Sequence, residues 1–92
     1  MGLYFDEKNW AAFRERALNM DKMSAMGDLE SKLDKIYALM QKMLTTTRVQ
    51  TLEASITALR YFFKEVYWRT GMSATASNFI VSTEEDTDDD RL

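Results

Sequence analysis

Residues 26–66 read MGDLESKLDKIYALMQKMLTTTRVQTLEASITALRYFFKEV, and their apolar positions mirror one another about Thr46. Met26, Leu29, Leu33, Ile36, Met40 and Met43 advance in steps of three and four, and Val49, Leu52, Ile56, Leu59, Phe63 and Val66 repeat the same steps. Folding at residues 44–48 sets Met26 against Val66, Leu29 against Phe63, Leu33 against Leu59, Ile36 against Ile56, Met40 against Leu52 and Met43 against Val49. Such a pattern predicts an antiparallel helical hairpin with coiled-coil-like packing, its core built from these twelve residues. The alternative is one long helix through residues 24–70. It fits less well, because the stripe jumps six residues from Met43 to Val49 where an unbroken heptad needs four, a shift that is neither a stutter nor a stammer. Three consecutive β-branched threonines at the jump also lower helix propensity. The turn has neither glycine nor proline.

The second rod is expected over residues 24–44 and the third over 47–70. Thr47 and Gln50 stand three apart as a capping box for the latter, and Arg69, Gly71 and Met72 supply a cationic last turn, a left-handed residue and a closing apolar contact. Upstream, Asp6 can cap a shorter helix over residues 7–20 that carries Trp10, Phe13, Ala17 and Met20 on one face. Between the first two helices, Asn19, Asp21, Ser24 and Gly27 are caps or breakers. A turn there and a continuous helix bent near Gly27 are both compatible with the pattern. The expected fold is all-α, with residues 1–72 as the helical domain.

Beyond Gly71 the composition changes. Residues 73–78 are small and polar, Phe79, Ile80 and Val81 form a brief apolar run that reads as a docking hook or a lone strand, and TEEDTDDDRL follows. Residues 73–92 are read as a linker, hook and flexible acidic tail. Removing them is expected to leave helix content intact.

The chain has 92 residues, 46% of them hydrophobic and 29% charged, which suits one small domain. With no cysteine and no histidine, disulfides, thiolate ligation, the commonest metal ligand and the commonest general base are all missing. No catalytic, metal or cofactor-binding residues are assigned, and a non-enzymatic protein is expected. The carboxylates on the helices read as solvated ion pairs, with Glu30 reaching toward Arg60 across the hairpin. No apolar stretch approaches membrane-spanning length, and MGLYFDEKNW lacks a basic start followed by a long apolar run. An intracellular, cytoplasmic protein is expected, with a virion as the alternative setting.

Net charge is −3, but Glu84, Glu85, Asp86, Asp88, Asp89 and Asp90 concentrate the acid in the last ten residues and leave the body slightly basic. Lys35 and Lys42 share an outer face with Lys32 and Arg48 nearby; Asp28 and Asp34 interrupt the band, which argues against nucleic acid as a partner. The third helix has two faces. Opposite its stripe lie Ala54, Ala58, Tyr61 and Trp68, which need cover from Trp10 and Phe13 of the first helix or from a second copy.

A two-helix core this small seldom suffices alone, so a homo-oligomer is expected, with Trp10, Phe13, Tyr61 and Trp68 as contacts. The leading functional expectation is an assembly or structural accessory within a larger complex. Phage and viral assembly factors offer a likeness of class only. The alternative is a regulator or inhibitor that binds a basic surface of another protein through Phe79, Ile80, Val81 and the acidic residues after them.

Overall fold

The computed structural model describes residues 2–22 and 26–82. They form a strand β1 (Leu3–Phe5), three helices α1 (Glu7–Met20), α2 (Met26–Thr45) and α3 (Val49–Thr70), a single 3-10 turn (Ala76–Asn78) and a strand β2 (Ile80–Ser82). The fold is mostly helical, as the apolar spacing requires. The small sheet corrects the all-α expectation. β1 and β2 pair antiparallel with Leu3 opposite Ser82, Tyr4 opposite Val81 and Phe5 opposite Ile80.

Local chemistry fixes each helix end. The Asp6 carboxylate accepts from the Asn9 N–H at 3.1 Å and starts α1. Asp21 is extended (φ −62°, ψ 124°), so α1 stops at Met20 and is not continuous with α2. At the α2–α3 turn the threonine hydroxyls do the work that glycine or proline does elsewhere. Thr45 Oγ1 donates to the carbonyls of Gln41 (3.4 Å) and Lys42 (3.2 Å), and Thr46 Oγ1 accepts from the Arg48 N–H at 3.4 Å. The expected Thr47–Gln50 capping box is replaced by this arrangement: Arg48 precedes α3 in extended conformation without a side-chain cap. α3 ends as its sequence predicts. Gly71 is left-handed (φ 78°) and its N–H reaches the Tyr67 carbonyl at 2.7 Å, while Met72 is buried.

α2 and α3 pack side by side and run in opposite directions, since Asp28 in the first turn of α2 pairs with Arg69 in the last turn of α3. Leu29, Leu33, Ile36 and Met40 face Leu59, Phe63 and Val66 in the core. Toward the turn the mirror loosens: Met43, Leu52 and Ile56 are half-buried and Val49 is 67% exposed. The Met26 side chain lies outside the described residues. The deep end is the one that α1 and the chain ends cover.

That cover has an aromatic centre. Phe79 is 2% exposed, with its ring 5.1 Å from Trp10, 5.3 Å from Phe13 and 6.2 Å from Phe63. Its carbonyl accepts from the Asp6 N–H at 2.7 Å, and the Asn9 amide donates to the Asn78 carbonyl at 2.6 Å. Residues 73–82 thus belong to the folded body. They are not a linker, and Phe79 is not a free hook, since its ring is spent inside the chain; Ile80 and Val81 are half-buried in β2, the strand that the sequence offers as the alternative.

Phe79→Ala is therefore expected to cost about 3–5 kcal/mol, as for other buried aromatics. Truncation after Ser82 should leave stability within about 0.5 kcal/mol of the full chain. Urea unfolding followed by circular dichroism measures both, and a truncation after Met72 that unfolds like the full chain would refute the role given to Phe79.

Candidate interaction surfaces

The site geometry starts from Arg69, 6% exposed at the end of α3. Its guanidinium Nε and Nη2 donate to the two carboxylate oxygens of Asp21 at 3.1 and 2.9 Å, a bidentate pair, and Nη1 donates to Asp28. The Arg69 carbonyl also accepts from the Lys22 N–H at 3.0 Å. One side chain thereby fixes the exit from α1, the first turn of α2 and the end of α3. The Asp21 carboxylate raises the Arg69 pKa further above its ordinary value, and Asp28 adds to it. Asp28 is held below the usual carboxylate value of 3.8, first by the hydrogen bond from Lys32 at 3.1 Å and further by Arg69. At the other end of α1, the Tyr37 hydroxyl donates to Glu7 at 2.8 Å, which raises the tyrosine pKa.

This frame presents two surfaces on α3. Tyr61 and Trp68 lie seven residues apart, about 20° from each other around the helix. They are 58% and 78% exposed. Ala54 lies on the same side and is exposed, whereas Ala58 is half-buried. Tyr61 rests edge-on against Phe62 at 5.3 Å, and Lys35 Nζ sits 5.9 Å above the Phe62 ring. α1 does not cover this face. It packs on the opposite flank, where Arg14 pairs with Glu30 at 3.2 Å, so the expected approach of Glu30 to Arg60 is not made. Trp10 and Phe13, expected as contact residues, are buried in the chain's own core with Phe79 and Phe63. They do cover α3, but at Phe63 and not on the face that carries Tyr61 and Trp68.

The second surface, which the sequence reading missed, is a groove of about 510 Å³ between α3 and residues 73–77. Its apolar floor includes Met43, Ile56, Phe63 and Tyr67, and Arg60 and Lys64 stand at its rim. Only the distant return of residues 73–77 creates it, so helical periodicity carries no sign of it. Met40 fills the core and Met43 lines the groove, both of which suit an unbranched, adaptable side chain. Glu84, Glu85, Asp86, Asp88, Asp89 and Asp90 lie outside the described residues, as does Met23.

Among the described residues no cluster of three or more carboxylates is placed to hold a metal ion, and no helix is long and apolar enough to cross a membrane. No family model, curated protein or solved structure matches the chain.

Acid should act on the Arg69 junction with a defined sign. Because the folded Asp28 pKa is depressed, its contribution is fully present above pH 3.8 and is lost as the pH falls below that value. The thermal midpoint is expected to be flat between about pH 5 and 8, where no histidine titrates, and to drop at lower pH, less steeply in Asp28→Asn. Arg69→Met, which removes the bidentate cation from the buried Asp21 carboxylate, is expected to cost on the order of 3 kcal/mol, whereas Arg14→Met at an exposed pair should cost under about 1 kcal/mol. Equal midpoints for these two variants in thermal melts would contradict the junction's role.

Proposed function

We propose that this chain is a non-enzymatic helical interaction protein that self-associates and serves as an assembly or structural accessory in a larger complex. In this reading the α2–α3 pair acts as a coiled-coil-like hairpin and α3 presents Tyr61 and Trp68 to a second copy. The observation that carries it is the exposure of Trp68, at 78%, beside Tyr61 on a helix face that none of the described elements covers. An indole left in water is costly for a small protein, and burying one against a partner removes roughly 150–250 Å² of surface at about 25 cal/mol per Å². A symmetric dimer brings each such patch onto its own copy, the commonest way for one surface to bury itself. The near-neutral body favours such contact, since little like-charge repulsion opposes it. A cytoplasmic or virion setting belongs to the same proposal.

Size-exclusion chromatography with light scattering tests it. The 10.7 kDa chain is expected to elute at twice that mass or more at tens of micromolar, on the order of typical weak dimer affinities. Trp68→Ala should weaken association by about 100-fold without changing helix content. A monomer throughout that range, or a Trp68→Ala protein that associates as before, refutes the proposal.

A further inference from the structure

We propose that the groove between α3 and residues 73–77 receives an acidic amphipathic helix of a protein partner. Its apolar floor is a different surface from the Tyr61 and Trp68 face, about 100° away around α3 at Tyr67, and Lys64 at its rim borders that face, about 40–60° from it. Charge gives the first reason. The chain carries a net charge of −3, yet among the described residues no carboxylate lines this groove, while Arg60 and Lys64 both do. Neither cation has an ion pair among the described residues. They stand at i and i+4 on one exposed edge of α3, a spacing at which like charges repel, so the pair weakens the helix unless an anion sits between or beside them.

Shape gives the second. The floor runs from Ile56 past Phe63 to Tyr67, three turns of α3 or about 16 Å. Its volume of about 510 Å³ is in the range of formed binding pockets. An elongated apolar trough beside a straight helix suits a short helix with apolar side chains at i, i+3, i+4 and i+7, the usual helix-in-groove arrangement. Two carboxylates at i and i+4 on that helix repeat the spacing of Arg60 and Lys64, about 6 Å along the axis. The opposite wall alternates Ser73, Thr75 and Ser77 with Ala74 and Ala76. Apolar anchors in the trough would supply affinity, and the paired charges orientation and rate.

The test uses the full chain and two fluorescein-labelled helical peptides with identical leucine anchors, one flanked by glutamates and the other by lysines at the same places. Fluorescence anisotropy at low salt is expected to show binding of the glutamate peptide at tens of micromolar or better, weakening by about tenfold when salt is raised, and at least about tenfold poorer binding of the lysine peptide. Both cations are exposed, so the double variant R60E/K64E should keep its circular dichroism, lose the glutamate peptide and gain the lysine peptide. Trp68→Ala should bind the glutamate peptide as the parent does, which separates this result from the fate of self-association. Failure of the glutamate peptide to bind overturns the proposal. So do equal affinities for the two peptides, or unchanged preference in R60E/K64E.

Discussion

The structure hangs on the Arg69 guanidinium, which is nearly removed from water and held by Asp21 on two sides and Asp28 on a third. A desolvated cation has to be met by anions, and here the anions come from two other elements. This makes the junction demanding of geometry: the end of α1, the beginning of α2 and the last turn of α3 must all arrive together. Hydrophobic packing alone lets helices slide or rotate at small cost. The bidentate pair fixes register where packing cannot.

At the other end of α1 the constraint is apolar. Two amphipathic helices expose the flanks of their own stripe, and here those flanks are covered by Trp10, Phe13 and Phe79, three aromatics contributed from both sides of the hairpin in sequence. A two-stranded ribbon is marginal in water by itself. It persists here because the Phe79 ring is seated among other rings and its carbonyl is held by the Asp6 amide, the same residue whose side chain starts α1. Helix start, strand pairing and core filling share a single residue's neighbourhood. The ion-pair junction and the aromatic centre thus tie the short helix to the long ones at its two ends.

The stripe from Leu29 to Val66 was legible because helical packing writes itself locally, as a period. So were Asp6, Gly71 and Met72, whose roles depend on neighbours a few residues away. What sequence could not show was nonlocal. Leu3–Phe5 and Ile80–Ser82 are three residues each, too short to display alternation, and their pairing joins opposite ends of the chain. Phe79 looked like a free anchor because its partners lie far from it in sequence. Arg69 looked like an ordinary cation at a helix end, a role it fills only in part, since Asp21 and Asp28 are nearly fifty and just over forty residues upstream. That Tyr61 and Trp68 share an outward face is legible because two faces of one helix can be read from angle alone. The Arg60 and Lys64 rim was not, because half of the groove's wall is a loop.

The pairing of β1 with β2 sets Leu3 directly opposite Ser82. Cα atoms of such partners are about 5 Å apart, so polypeptide enters and leaves the folded body through the same doorway. A unit of this kind can be spliced into a surface loop of a host, or strung in tandem with copies of itself, on tethers of only a few residues and without stretching either neighbour.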